Sequence, residues 1–193
     1  MKKKIIIGVL IQLISIFYVS AQKRSKYEKY GNTFNMGIGA GGYSGYYKYA
    51  NRTLAVFNAN YEFDIAPSLT LAPNISVYSY QNEYYWANGK NPGQYYTYRE
   101  TVIPIGIKSA YYFDKLLKAG SRWDFYVGTS IGVSIVNARW ESGYQGDKNY
   151  YKRANNLYVD MHIGAENHLS KNVGIYLDLS NGVSTFGIAF HSK

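Results

Sequence analysis

Several features common in soluble and helical proteins are missing from this chain. None of its 193 residues is cysteine, which excludes a disulfide framework, a lipid-modified cysteine anchor and a thiolate metal site. Charged residues form only 17% of the sequence, against about 25% in an average soluble domain. Beyond residue 21, every apolar stretch is interrupted by Gly, Ser, Asn or Tyr. No such stretch suits a membrane-spanning helix of about 20 residues.

The N-terminus has the three parts of a secretory signal. The basic residues Lys2–Lys4 precede an apolar run that ends in Val19–Ala21, and small residues at those last positions suit signal peptidase. We expect cleavage after Ala21, which leaves 172 of the 193 residues. The predicted organisation is a signal peptide over residues 1–21, a basic tail over residues 22–32 and one domain over residues 33–193.

The basic character of the mature chain is weaker than the formal charge suggests. The whole sequence carries +9, and removal of three lysines with the signal lowers this to +6. Much of the excess lies in the tail and in predicted loops, where it forms no continuous basic stripe. An exported chain without such a stripe is a poor candidate for nucleic-acid binding, so we expect no nucleic-acid partner.

Tyrosine and glycine are abundant, with 23 and 19 copies, and they take part in a strict alternation. In the segment Trp123–Asn137, one face carries bulky apolar residues and the other carries mostly small polar ones. Side chains separate in this way only on a β-strand. A soluble sheet turns its apolar face inward, whereas a transmembrane barrel turns that face to lipid and keeps small polar groups inside. The alternation therefore favours a barrel.

Seven further segments alternate in the same manner. Together the eight are Phe34–Gly42, about Thr53–Asp64, about Leu69–Tyr80, about Tyr95–Phe113, Trp123–Asn137, about Leu157–Asn167, Val173–Ser180 and Val183–Phe190. The predicted fold is all-β, an eight-stranded antiparallel up-and-down transmembrane β-barrel. The interior of about eight strands is filled by side chains and leaves no open channel.

The connections between the segments predict an orientation. Short connections at 64–68, 114–122 and 169–172 suit periplasmic turns, whereas the longer ones at 43–52, 80–94 and 139–152, rich in Tyr, Gly and Asn, suit extracellular loops. Outward-facing aromatic residues gather at the strand ends assigned to the periplasm, as in an interfacial girdle. These residues are Phe34, Phe63, Phe113, Trp123, Phe125 and Phe190.

One local pattern adds a family resemblance. Residues Glu100–Lys108 read Glu-Thr-Val-Ile-Pro-Ile-Gly-Ile-Lys, which looks like the Glu…Ile-Pro-Leu…Lys strand of small Gram-negative outer-membrane barrels. Across its entire mature length the chain resembles that OmpA- and OmpX-like group, also labelled porin-family barrels. The C-terminus departs from the group, because such barrels commonly finish on an aromatic residue, whereas Phe190 is followed here by three more residues.

The resemblance implies a location and a set of partners. We expect export to the cell outer membrane, insertion by the barrel assembly machinery, and contact with outer-membrane lipid and lipopolysaccharide. The implied protein is monomeric, non-enzymatic and without a cofactor.

Seven ionisable residues occupy the alternate strand positions whose side chains face the barrel interior. They are Glu62, Glu100, Lys108, Asp160, His162, Glu166 and Asp178. Because an unpaired charge in so confined a space is costly, we expect a network in which Lys108 and His162 neutralise nearby carboxylates. A narrow ion or proton path through the same residues is the alternative.

Three arginines occupy alternate strand positions that face outward, and they lie near the predicted extracellular loops. Arg99, Arg139 and Arg153 could contact lipopolysaccharide phosphates, since a guanidinium binds phosphate oxygens with two parallel hydrogen bonds. The alternative is that all three are solvated loop charges.

Enzymatic and metal-dependent functions have little support in the sequence. His168 and Ser170 have the His-x-Ser spacing of lipid A deacylases, yet they fall in a predicted periplasmic turn and no Glu follows to orient the histidine. His162 and His168 lie six residues apart on a strand, roughly 20 Å, so we predict no metal site between them.

Aromatic residues crowd the predicted loops and leave two interpretations open. Tyr offers a large contact area for a protein or glycan ligand, but the outer girdle and extended strands also use Tyr and Trp. The sequence therefore predicts an envelope-structural or surface-interaction protein with a filled interior and Tyr-rich extracellular loops. Alternatives are an adhesin that binds a host or other extracellular ligand, a narrow channel and, more remotely, a lipid A-modifying enzyme.

Overall fold

The computed structural model describes residues 30–42, 52–53, 55–88, 91–148 and 156–192. The predicted signal peptide, most of the basic tail and Arg153 lie outside these residues. Within the tail, Tyr30 is described, and it is buried against the barrel, where its ring stacks on Tyr112 with centroids 4.1 Å apart.

Nine β-strands and one short helix make up the described structure. In chain order they are β1 (Thr33–Gly41), β2 (Arg52–Thr53), β3 (Val56–Ala66), β4 (Leu69–Asn88), β5 (Asn91–Tyr112), α1 (Asp114–Leu117), β6 (Trp123–Trp140), β7 (Leu157–His168), β8 (Val173–Ser180) and β9 (Val183–His191). In the described residues, no helix is both long enough and apolar enough to span a membrane.

The strands close into a ring. All pairings are antiparallel: β1 pairs with β3 and with β9, and from β4 to β9 each strand pairs with the next. The short strand β2 and strand β3 both pair with β4, so β2 and β3 share one position in the ring. This arrangement confirms the predicted all-β, eight-stranded antiparallel up-and-down barrel. Closure leaves no unpaired edge in the ring, because the first and last strands satisfy each other's backbone groups over Thr33–Gly41.

The predicted segments agree closely with the strands, with one error. The connection at 80–94 was predicted as a loop, but it is mostly strand: β4 continues to Asn88 and β5 begins at Asn91. Tyr84 lies opposite Tyr96, and Tyr85 lies opposite Tyr95. Tyrosines lie on both faces of this part of the hairpin. Because tyrosine favours β-structure, the strands continue even beyond the apolar band of the barrel.

The two ends of the barrel differ. We call the end that contains Thr33, Ala66–Leu69, Phe113–Trp123, His168–Val173 and His191 the turn end, because short connections join the strands there. The opposite end, which contains Gly41, Asn88 and Trp140, is the loop end. Trp140 lies opposite Tyr98, and the β4–β5 hairpin reaches beyond this level by the six β4 residues Glu83–Asn88, or roughly 20 Å.

Candidate functional site

The outer wall of the barrel is apolar. On β6 the side chain of Ile131 is 56% exposed, whereas that of its neighbour Ser130 is 2% exposed and faces the interior. Other strands repeat the pattern, and the exposed residues form a continuous band around the ring. They include Met36, Ile38, Phe57, Ile75, Ile105, Ile107, Val127, Val133, Ile135, Val159, Met161, Ile163, Leu177, Leu179, Phe186 and Ile188.

Aromatic side chains edge this band at the turn end. Phe34 lies opposite both Tyr61 and Phe190 on the neighbouring strands, and Trp123 stacks on Phe125 with ring centroids 5.8 Å apart. Phe63, Trp123 and Phe190 are exposed on the outside. The six aromatic residues singled out in the sequence therefore lie at one end of the barrel, next to the exposed apolar band.

The interior is filled by side chains that reach across it. Gly106 lies opposite Gly132 on neighbouring strands, and a Cβ at either position would collide with the ring of Tyr158. This space lets Tyr158 donate a hydrogen bond from its hydroxyl to Asn74 Oδ1 across the barrel, at 3.0 Å. Small residues on the inner face thus make room for large ones instead of opening a pore.

A charged group occupies the middle of the interior. Lys108 on β5 forms an ion pair with Asp178 on β8, and both side chains are 6% exposed. Asp178 also accepts a hydrogen bond from Tyr126 Oη at 2.8 Å and pairs with His162 Nδ1 at 2.7 Å. His162 Nε2 lies 2.9 Å from Ser130 Oγ. One carboxylate is therefore held by a lysine, a histidine and a tyrosine.

Glu62 lies nearer the turn end and has neutral partners. Its carboxylate accepts hydrogen bonds from Asn35 Nδ2 at 2.9 Å, Thr70 Oγ1 at 2.8 Å and Tyr112 Oη at 2.7 Å. Three donors from three strands surround it, so the glutamate ties β1, β4 and β5 to β3.

Asp160 and Glu100 lie in the half of the barrel toward the loop end, and both are completely buried. Asp160 holds the β8–β9 turn, because its carboxylate accepts hydrogen bonds from Gly182 N at 2.9 Å, Ser180 Oγ at 2.9 Å and Val183 N at 3.4 Å. Glu100 accepts a hydrogen bond from Tyr98 Oη at 2.8 Å. Both carboxylates therefore have hydrogen-bonding partners within the barrel, so each of them has a structural role.

At the turn end, two histidines surround the seventh predicted interior residue, Glu166. His191 Nε2 lies 2.6 Å from Glu166 Oε1, and His168 Nδ1 lies 3.8 Å from the same oxygen. Each imidazole has a second partner, Asp124 for His168 at 2.8 Å and Thr33 for His191 at 2.9 Å. We call these five residues the mouth cluster.

The structure thus brings the seven predicted interior residues inside the barrel, but it divides them among separate groups. A small cavity of about 20 Å³ lies beside the central group, between Lys108, Asn74 and Thr185. That volume holds about one water molecule.

Two of the three predicted arginines are described, and both are exposed on the outer wall near the loop end. Arg99 on β5 lies directly opposite Arg139 on β6, and Arg99 Nη2 donates a hydrogen bond to Gln81 Oε1 at 3.0 Å. Like charges directly opposite on neighbouring strands disfavour pairing. An anion between them would remove that repulsion.

The His-x-Ser pair does not form a nucleophile and base in this structure. Ser170 is exposed in the β7–β8 turn, where its hydroxyl accepts hydrogen bonds from Asn172 N at 3.3 Å and Val173 N at 3.1 Å. His168 instead turns into the barrel mouth toward Asp124 and Glu166. The serine has the role of a turn-capping side chain.

Aromatic rings cover the inner face of the β4–β5 hairpin at the loop end. Trp140 stacks on Tyr144 with centroids 3.9 Å apart, and Tyr98 lies 4.8 Å from Trp140. Tyr96 and Tyr144 are buried, whereas Tyr85 and Tyr95 on the opposite face of the hairpin are strongly exposed. Other rings in the cluster are Tyr84 and Trp86.

Comparison of the sequence with models of protein families finds no match, and comparison with curated proteins finds none either.

Sequence reasoning missed three residues of the mouth cluster. His191 follows Phe190 and is the last residue of β9, Thr33 is the first residue of β1, and Asp124 is the second residue of β6. Inward parity was the available signal, since all three alternate with outward aromatic residues. The alternation of a strand predicts which face a side chain lies on, but it does not predict which side chain it contacts across the barrel.

Proposed function

We propose that this protein is an integral outer-membrane β-barrel with a filled interior, non-enzymatic, and with a structural or surface-interaction role in the cell envelope. The strongest support is the contrast between the two faces of the wall. Exposed Ile, Val, Leu, Met and Phe lie outside, and Tyr, Asn and charged residues lie inside. A barrel in water would gain nothing from so large an exposed apolar band. In lipid the same band is favourable.

The aromatic residues at the turn end support a membrane boundary there, and the lengths of the connections support an orientation. Trp and Tyr rings concentrate where a barrel wall meets the lipid headgroups. Short connections at the same end suit the periplasmic side, and the long β4–β5 hairpin at the other end suits the cell exterior. The resemblance to small OmpA- and OmpX-like barrels supports the same assignment, and implies monomeric insertion by the barrel assembly machinery.

The filled interior argues against transport as the main role. Tyr158 crosses the barrel to Asn74, and the Lys108–Asp178 ion pair occupies its centre. Water-filled transmembrane barrels need many more strands than eight. The narrow channel is therefore the less favoured alternative, and the arrangement of Ser170 and His168 gives no support to a lipid A-modifying enzyme.

Membrane fractionation of cells that express the full chain, followed by gel migration with and without heating, tests the proposal. We expect the protein in the outer-membrane fraction, with unheated protein that migrates differently from heated protein because the closed barrel resists the detergent. Recovery of folded protein in the soluble periplasmic fraction would contradict the proposal.

A second property, contact with lipopolysaccharide, rests on Arg99 and Arg139. Their direct opposition on the outer wall presents two guanidinium groups to one anion, and phosphate accepts such paired donors. Arg153, also predicted to contact phosphate, lies outside the described residues.

Surface interaction rests on the loop end. Most aromatic rings on the inner face of the β4–β5 hairpin pack against one another, which stiffens the hairpin. Tyr85 and Tyr95 remain exposed, and their ring centroids lie 5.3 Å apart. A rigid hairpin with exposed tyrosines suits recognition of an extracellular protein or glycan. Loss of cell-surface adhesion on Y85A/Y95A substitution, with unchanged outer-membrane amounts, would support an adhesin over a purely structural role.

A further inference from the structure

We propose that Glu166, His168 and His191 form a binding site for one divalent transition-metal ion of the zinc class. The site lies at the turn end, inside the mouth of the barrel. It goes beyond the proposed membrane role and does not depend on it, because the cluster would exist in the same barrel in any surroundings.

The spacing of the ligand atoms suits such an ion. One donor atom from each of the three residues lies within 4.8 Å of the others. Ligands bound tetrahedrally to zinc at about 2.0–2.1 Å are about 3.3 Å apart. Glu166 Oε1 lies 2.6 Å from His191 Nε2 and 3.8 Å from His168 Nδ1, so small side-chain rotations reach the required distances.

The partners of the two imidazoles direct lone pairs toward Glu166. Thr33 donates its hydroxyl hydrogen to the Tyr30 carbonyl at 2.9 Å, so it accepts the hydrogen of His191 Nδ1. Asp124 accepts the hydrogen of His168 Nε2. The remaining ring nitrogen of each imidazole then faces a carboxylate oxygen, so either a second proton on the ring or a bound cation must lie between the two.

The second partners also match those of known metal-ligating histidines. Such a histidine commonly donates its other N–H to a carboxylate or another acceptor, which fixes the ring and raises its basicity. Asp124 supplies a carboxylate to His168, and Thr33 supplies a hydroxyl oxygen to His191.

Charge at the mouth favours a divalent cation. Asp124 and Glu166 lie directly opposite each other on β6 and β7, an arrangement that is destabilising without a neutralising charge. In the described part of the chain, their ion pairs are with His168 and His191. A divalent ion would neutralise both carboxylates while both imidazoles stay neutral.

The ligand types and exposure define the metal class. Two imidazoles and one carboxylate suit zinc and its neighbours copper and nickel better than magnesium or calcium. The side chains of His168 and His191 are 23% and 17% exposed, so a fourth position remains open toward solvent. Because the ligands come from β7 and β9, the ion would cross-link the region where the last strand closes on the first.

Zinc titration of the detergent-solubilised full chain, freed of metal beforehand, tests the proposal by calorimetry. We expect one equivalent of Zn²⁺ per chain, loss of that binding in H168Q/H191Q, and binding about 10–100-fold weaker in Asp124→Asn. His162→Gln is the matched control, because it removes the third histidine of the chain and should keep the zinc affinity.

Imidazole NMR of the wild-type protein gives a second readout that needs no variant to fold. Zinc should shift the ring resonances of His168 and His191 and leave those of His162 in place. Absence of stoichiometric zinc binding, unchanged binding in H168Q/H191Q, or a response confined to His162 would each overturn the proposal.

Discussion

Lys108 and Asp178, 70 residues apart in sequence, form an ion pair at the centre of the barrel, and each side chain is only 6% exposed. The pair connects β5 to β8, which are not neighbours in the ring. His162 and Tyr126 contact the same carboxylate. The barrel is therefore braced from within as well as by its backbone ladder.

Replacement of Lys108 by Met should lower the free energy of unfolding by about 3–5 kcal/mol, because it leaves the buried carboxylate of Asp178 without its lysine. Urea unfolding in detergent measures the change. The double variant K108M/D178N should recover part of the loss, and the exposed Lys171→Met should change stability by less than about 0.5 kcal/mol. Equal effects at Lys108 and Lys171 would contradict the bracing role.

Planar-bilayer recordings should show no steady conductance for the wild-type protein, since side chains and the central ion pair fill the interior. The Lys108→Ala variant, added at a low protein concentration, should also show no steady conductance. A steady wild-type conductance that this substitution alters would favour the narrow channel.

Asp160→Ala should destabilise the β8–β9 turn, because it leaves the amides of Gly182 and Val183 without a carboxylate acceptor. Gly182 N keeps a hydrogen bond to Ser180 Oγ at 3.2 Å, so the expected cost is about 1–3 kcal/mol, the value for one buried donor left unpaired. Hydrogen exchange should accelerate at those two amides. Asn181→Ala provides the control in the same turn, since its side-chain contact to Met161 N is exposed, and it should have a smaller effect on stability.

Replacement of Arg99 and Arg139 by Ala should weaken binding to lipopolysaccharide by about tenfold or more, because two charge-assisted hydrogen-bonding groups are lost. Addition of Arg153→Ala tests the third predicted residue. Arg122→Ala, an exposed arginine at the opposite end, should leave the affinity unchanged. If the double variant binds like the wild type, these arginines are solvated charges only.

Most of the barrel could be predicted from alternation. Strand β6 illustrates why: Ile131 and Ser130 differ in size and polarity, and a period of two has one structural solution. Extension of the β4–β5 hairpin was missed because Tyr84, Tyr85 and their neighbours carry no contrast between faces. Beyond the apolar wall, the same composition fits a loop or a strand.

The interior partners could be predicted only in part. Parity put Lys108, Asp178 and Glu166 on inner faces, but it carries no information on which side chains meet across the barrel. His168 illustrates the limit, because sequence spacing argued against His162 and Ser170 as its partners but did not indicate Asp124 and Glu166, which contact it in the fold. Such contacts depend on strand register and barrel closure together.

Single-cysteine labelling tests the membrane proposal most directly, because the natural chain has no cysteine. A spin label at Ile131→Cys, reconstituted in lipid vesicles, should collide freely with oxygen dissolved in lipid and be shielded from a water-soluble relaxation agent. A label at Gln145→Cys, exposed in the β6–β7 connection, should behave in the opposite way. Equal access of the water-soluble agent to both positions, in protein shown to be folded, would contradict a wall that faces lipid.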